Sequence, residues 1–275
     1  MKTWLITGCS TGIGRGIAAT VLAHGDRAVV TARNTDSVAN FAADYPDTCR
    51  VVSLDVTDAD ARKKAVSTVM EAFGQIDVLV NNAGHGYRSS VEEGDDAQVR
   101  ELFETNFFGA VGMIKEVLPH MRAKRSGTII NITSIAASKS AVGSGYYAAS
   151  KAALELLSEG LIQEVKPLGI DVLIVEPGAF RTEFYGDHSM QGAALTIEDY
   201  KDTAWTRAKH IRVDTSGMPG NPEKAGDAII AVLAQEKLPL RYYMGSDANR
   251  IITATLEERV EEIKAQKALS ALSDG

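Results

Sequence analysis

The sequence predicts an α/β fold: one domain on a doubly wound parallel sheet of about seven strands, with helices on both faces. Three observations carry this expectation. Short β-branched runs alternate with amphipathic stretches from the first residues to about residue 175, the pattern of successive βαβ units. The runs are apolar throughout, as in VLV at 78–80 and VLIV at 172–175, which suits strands covered on both faces. No Ser-rich or Pro-rich linker and no internal repeat interrupts the 275 residues, a length that α/β folds commonly spend on one domain.

In chain order, strands are expected at 3–7, 28–32, 51–54, 78–81, 128–133 and 171–175, with a seventh near 241–244. Helices are expected to begin near Gly12, Thr35, Thr57, Ala97 and Tyr146. Thr57 with Asp60 reads as an N-cap pairing for the third. Further along, TIEDYKDTAWTRAKHIR at 196–212 holds Thr196 and Asp199 at capping-box-like spacing and reads as a surface helix. NPEKAGDAIIAVLAQ at 221–235 and LEERVEEIKAQKALSAL at 256–272 read as two more.

Composition narrows the function classes. Hydrophobic residues at 45% and charged residues at 24% are ordinary for a soluble globular chain. A net charge of −7 argues against nucleic acid or an anionic membrane surface as the main partner, since both attract positive potential. The two cysteines, Cys9 and Cys49, cannot build a disulfide framework and form no CxxC pair, which fits a reducing, cytoplasmic compartment. MKTWLITG runs straight into a strand, with too short an apolar stretch for a signal peptide or membrane span. The histidines His24, His85, His120, His188 and His210 have no HExxH or similar spacing, so no metal site is expected.

Chemistry enters at the end of the first strand, in ITGCSTGIG. Gly8, Gly12 and Gly14, with Ser10, Thr11 and Ile13 between them, lie between a strand and a helix start. Glycines there let the backbone turn tightly and approach a pyrophosphate, whose charge then faces the free N–H groups of the helix. The spacing is GxxxGxG rather than GxGxxG. A second pattern is GYYAASK at 145–151. At roughly 100° per residue, Tyr147 lies about 40° from Lys151 around a helix and Tyr146 about 140°, so only Tyr147 shares the lysine's face.

Together these motifs resemble the short-chain dehydrogenase/reductase family. TGxxxGxG, NNAG at 81–84, Asn106 in TNFFG, Ser134 in NITS, Tyr147 and Lys151 in YxxxK, and PG at 177–178 follow in the family's order. Ser134 precedes Tyr147 by the family's thirteen residues, and the resemblance covers roughly residues 3–182. NNAGHGY and the long stretch after Gly178 look closest to relatives described as 17β-hydroxysteroid-dehydrogenase-like, a label for a sequence subgroup and not for a substrate.

The resemblance implies a single-domain Rossmann fold and hydride transfer between a nicotinamide cofactor and a carbonyl or secondary alcohol. Arg33, after the second strand, can pair with the 2′-phosphate that an acidic residue would repel, which favours NADP(H), with NAD(H) as the alternative. Asp55 matches the position that contacts adenine; a turn aspartate is the competing explanation. Asn81, Ala83 and Gly84 would steady the sheet and pass close to the cofactor. Thr182 would hold the carboxamide, and Pro177 with Gly178 would form the turn before it.

Reduction of a ketone develops alkoxide character on oxygen, which calls for a proton and for stabilised negative charge. By resemblance Tyr147 supplies the proton, Lys151 lowers its pKa and binds the ribose, Ser134 orients the substrate oxygen, and Asn106 links the lysine to solvent through water. Residues 183–219 are expected to form a substrate lid in which Phe184, Tyr185, Met190, Leu195 and Trp205 line an apolar pocket. HGYRSSVEEG at 85–94 would form another wall, and 246–275 a helical extension. The expected partners are an apolar small-molecule carbonyl or alcohol and further copies of the chain, as a homodimer or homotetramer. The competing function is a catalytically silent NAD(P)-binding regulator or scaffold; an intact Asn106, Ser134, Tyr147 and Lys151 set favours the enzyme.

Overall fold

Strand β1 (Thr3–Ile6) sets the pattern of burial: Trp4 and Ile6 join the core on one face of the sheet, Leu5 joins the core on the other, and all three are shielded from water. The structure is a computed structural model that describes residues 1–186, 189–209 and 213–274. From β1 the chain alternates through α1 (Gly12–Ala23), β2 (Arg27–Ala32), α2 (Ala39–Asp44), β3 (Cys49–Ser53), α3 (Ala59–Phe73) and β4 (Val78–Asn81). Next come a short β5 (Gly86–Arg88), α4 (Asp96–Phe103), a π-helical turn over 104–109, α5 (Ala110–Lys124), β6 (Gly127–Ile132), α6 (Ile135–Ser138), α7 (Gly145–Val165) and β7 (Ile170–Pro177). The remainder holds β8 (Met190–Gly192), α8 (Ala204–Ala208), α9 (Ala225–Leu233), β9 (Arg241–Met244), α10 (Ser246–Ala265) and α11 (Lys267–Ser270).

Among the described residues seven strands form one parallel sheet in the order β3-β2-β1-β4-β6-β7-β9. Helices α1 and α9 supply Ile17, Val21 and Ile229 to the core on one face. Helices α3, α5 and α7 supply Val66, Met113, Val117 and Leu161 to the other. Each such aliphatic side chain, fully buried, contributes roughly 1.5–3 kcal/mol. The strand order reverses between β1 and β4, which opens a crevice at their C-terminal ends, the place where doubly wound sheets bind ligands.

Several boundaries differ from expectation, each for a local reason. Helix α3 is capped by Asp58, whose carboxylate accepts from Asp60 N and Ala61 N, and not by Thr57, which is bonded to Asp55. Strand β3 begins two residues early, at Cys49, in register with Ala28. The helix expected over 196–212 is a 3₁₀ turn at Glu198–Tyr200 and the short α8, separated by Thr203, whose φ of −123° and ψ of −100° are not helical; residues 210–212 lie outside the described residues. The C-terminal helix begins at Ser246, where the helical extension is expected to begin and ten residues before the 256–272 stretch read as helix; it packs on α6 and β9, with Ala248, Ile252 and Thr255 buried. Strands β5 and β8 pair in a small parallel sheet of their own.

Candidate active site

The crevice holds a cavity of about 640 Å³, lined from Arg33 and Asp55 through Gly8–Ile13 to Ser134 and Tyr147. Its floor is a glycine cradle. Gly8 and Gly12 have φ of +70° and +60°, and a Cβ on Gly8 would come within 2.8 Å of Ala83 Cα. The loop is locked to β4 from below. Asn82 Nδ2 donates to the carbonyls of Thr7 at 3.0 Å and Gly8 at 2.8 Å, and Thr7 Oγ1 accepts from the amides of Asn82 and Ala83. Helix α1 then starts with its N-terminal amides toward the cavity, an arrangement suited to a phosphate.

Period-two alternation divides the two asparagines of NNAG. Asn81 points into the sheet, is 4% exposed, and donates to Asn131 Oδ1, which passes the chain on to Ser158 Oγ of α7 at 2.7 Å. It steadies the sheet and does not line the cavity. Asn82 is the one that holds the glycine loop, and strand parity is the signal that distinguishes them. Gly14 also lies behind the cavity, where a Cβ would meet Asn82 Nδ2 at 2.3 Å and Gly8 O at 2.5 Å, so its task is close packing of helix on strand.

Helix α7 is held against this floor at three points. Ser158 receives Asn131, Ser150 Oγ receives Asn106 Nδ2 at 3.1 Å, and Lys151 Nζ donates to Ile132 O at 3.0 Å. Asn106 projects inward from the π-helical turn, a distortion often found at functional sites. It grips both backbone polar groups of His85, accepting from N and donating to O at 2.9 Å each. Asn106 thus sits behind the cavity wall. A Cβ on Gly84 would lie 2.9 Å from its Oδ1 and 3.3 Å from Lys151 Nζ, so only a glycine lets the three groups converge.

Tyr147, Lys151 and Ser134 all line the cavity. Burial raises the Tyr147 phenol above its ordinary range, and its hydrogen bond with Ser134 opposes that rise. Burial lowers Lys151 to about 8. Among the protein's own groups, burial therefore outweighs the expected pull of the lysine on the phenol. The result is a tyrosine that keeps its proton at neutral pH, as a donor must. Tyr146 points elsewhere: its hydroxyl donates to Val91 O at 2.7 Å and its ring packs edge-on against Tyr87.

At the far end Arg33 and Asp55 line the cavity together. Asp55 is also a turn aspartate, accepting from Thr57 N and Oγ1; burial acts to raise its carboxyl, but these bonds and Arg33 bring it below the ordinary range. Pro177, Gly178 and Thr182 lie on the opposite wall, and Thr182 caps the turn at Glu183–Tyr185. Phe184, Tyr185 and Met190 line the substrate end, with Phe184 5.6 Å from the Tyr147 ring. Leu195 and Trp205 do not line it, and Arg88, Gln191 and Arg207 make the wall more polar than expected. His85, the first residue of the 85–94 stretch expected to form a wall, lines the cavity beside Gly84, and burial lowers its imidazole below the ordinary range. Among the described residues no three metal-ligating side chains cluster; His188 and His210 lie outside them.

Directly before Pro177, Glu176 is fully buried between Glu155 and Arg241, with Ser138 Oγ donating to it at 3.0 Å. Burial first, and then Glu155, raise its carboxyl from 4.5 to about 7. Its protonated form fits the fold, so this contribution to stability is complete below the unfolded pKa and is lost as pH rises through about 7. Glu176→Gln is expected to remove a decline in stability of up to ~1.4 kcal/mol per pH unit between about pH 5 and about pH 7, read from urea midpoints.

Comparison with known proteins agrees with this architecture. The short chain dehydrogenase family profile matches residues 2–191. A 3-ketodihydrosphingosine reductase of Bacteroides thetaiotaomicron is 36% identical over 243 residues, covering 88% of this chain and 87% of the relative. The crystal structure of a short-chain dehydrogenase from Streptomyces avermitilis superposes with a TM-score of 0.91 at 40% identity, covering 99% of this chain and 98% of that one. A structure described as ElxO with NADP bound superposes with a TM-score of 0.69 at 25% identity, covering 86% and 93%. With the nucleotide cradle, the Ser134, Tyr147 and Lys151 cluster and the profile match over most of its length, this chain belongs to the short chain dehydrogenase family.

Proposed function

We propose that the protein reduces a ketone, or oxidises the matching secondary alcohol, with NADP(H). The observation that carries this reading is the joint placement of Ser134, Tyr147 and Lys151 on one cavity whose other end is a glycine cradle beside Arg33. The cradle suits a dinucleotide because it presents backbone N–H groups and no side-chain bulk at Gly8 and Gly12. Bound there, the nicotinamide supplies the hydride. Gly8, Ser10, Thr11, Gly12 and Ile13 would hold the pyrophosphate; Ala83, Gly84, Pro177, Gly178 and Thr182 would flank the nicotinamide half. Tyr147 would give its proton to the substrate oxygen, Ser134 would orient that oxygen, and Lys151 would bind the ribose and balance the negative charge left on the phenolate. Asn106 holds His85 and Ser150, the chain neighbour of Lys151, in place.

Arg33 is the residue on which the phosphate preference rests, and Asp55 flanks the adenine. Arg33→Asp is expected to weaken NADPH binding by ~10–100-fold relative to NADH. Equal NADPH and NADH affinities before and after, measured by fluorescence titration, would remove Arg33 from the account.

The substrate is proposed to be an apolar carbonyl compound that meets Phe184, Tyr185 and Met190, with residues 183–219 as its lid on a single-domain body. The name of the Bacteroides relative, a 3-ketodihydrosphingosine reductase, is in keeping with that chemistry. The 17β-hydroxysteroid-dehydrogenase-like grouping is proposed as lineage only. Exposed Leu256, Val260 and Ile263 on α10 support a dimer or tetramer in which the 246–275 extension takes part. Two free, buried cysteines support a cytoplasmic location.

A further inference from the structure

Five side-chain hydrogen bonds meet at one carboxylate outside the catalytic cluster. Glu93 lies in the loop between β5 and α4. Its Oε1 accepts from the amides of Thr196 at 2.6 Å and Ile197 at 2.8 Å, and the indole N–H of Trp205 points at both oxygens, at 3.2 and 3.0 Å. Ser90 Oγ donates to Oε2 at 2.7 Å and in turn accepts the Glu93 amide, so the carboxylate is fixed from its own loop as well. Burial acts to raise this carboxyl, but the bonds from Ile197, Ser90, Trp205 and Thr196 outweigh it and bring it to about 2. The group is therefore a full negative charge throughout the working pH range.

The segment it holds follows on the residues that wall the substrate end and itself reaches the cavity through Arg207. Phe184, Tyr185 and Met190 precede the latched residues, and Arg207 follows them. Other described links to the 85–95 loop include the short β5 and β8 pairing, Ala193 N to Arg88 O, Arg88 Nη1 to Arg207 O, the Arg88 guanidinium over the Tyr185 ring, and the exposed Tyr200 hydroxyl on Glu92. Hydrogen bonds to an ionised acceptor are about twice as strong as neutral ones. Glu93 gathers four of them, from three donors in two different parts of the segment.

We infer that Glu93 is a latch that holds residues 193–208 closed over the substrate end of the cavity, and so positions substrate without touching it. The inference rests on the reading of that cavity as the substrate site. Glutamine at this position keeps the length and one acceptor but sets an NH₂ against the donors Ser90 and Trp205. The latch then loses its charge and its matched geometry, while the glycine cradle stays as it was.

The test uses the whole protein and two readouts. In hydrogen exchange with NADPH present, Glu93→Gln is expected to speed exchange of peptides within 193–208 by at least ~10-fold, with strands β1 and β4 unchanged. In steady-state reduction of whichever carbonyl the wild type accepts, KM is expected to rise ~10-fold with kcat held within ~3-fold and NADPH affinity within ~2-fold. Trp205→Phe removes one donor, spares the Thr196 and Ile197 bonds, and is expected to shift both readouts the same way by less. Unchanged exchange in both variants overturns the latch. Faster exchange with unchanged KM overturns its role in positioning substrate, as does equal loss of NADPH binding and core protection. If the wild type reduces no carbonyl, the reading of the reaction fails, and the exchange result alone decides the latch.

Discussion

Tyr147→Phe is expected to cut turnover by about 10²–10⁴-fold, the usual contribution of a positioned proton donor, while NADPH affinity stays within about twofold. The substitution removes one hydroxyl and keeps the ring against Phe184. What is lost is the one proton that the site holds ready. Burial keeps the phenol in its acid form, with Ser134 beside it on the cavity wall. Tyr146→Phe is the control. Its hydroxyl contacts Val91 O on the far side of the helix, so turnover should change little. Equal losses in both variants would assign the effect to packing of α7 and not to proton transfer.

Lys151→Ala is expected to have an effect as large, through two separable routes. The ammonium is 4% exposed and donates to Ile132 O, so its removal leaves a buried carbonyl short of a partner, at about 1–3 kcal/mol of stability. It also removes the positive charge that balances a deprotonating phenol and the donor proposed for the cofactor ribose. NADPH affinity should therefore fall along with turnover, unlike in Tyr147→Phe. The wild-type pH profile adds a sign. Burial lowers the lysine to about 8, so kcat/KM for reduction should decline as pH rises through that value. A flat profile across that range would contradict the role given to the charge.

The main architecture could be read from the sequence because short runs rich in β-branched and apolar residues alternate with amphipathic stretches along the chain. The positions of Gly8, Ser134, Tyr147 and Lys151 could be read too, since each sits at a strand end or on a helix face fixed by periodicity. Features that depend on tertiary partners were less legible. Thr57 and Asp58 are both good caps, and the choice fell to Asp58 because Asp55 had taken Thr57. In NNAG, composition does not separate the two asparagines; the register of Asn81 against Asn131 does. The capping-box spacing at 196–199 gives no sign that Glu93, more than a hundred residues earlier, accepts the Thr196 and Ile197 amides. The inward turn of Asn106 follows from a π-helical distortion that helix propensity does not encode.

The central claim, that this cavity performs NADP(H)-linked carbonyl chemistry, is tested most directly by following NADPH absorbance with a panel of ketones and aldehydes. The wild-type protein should consume NADPH in step with alcohol formation for at least one apolar ketone, and Tyr147→Phe should bind NADPH and consume almost none. Tight NADPH binding by the wild type with no consumption across the panel, and none of the reverse reaction with alcohols and NADP, would contradict the account and favour a nucleotide-binding protein that performs no hydride transfer.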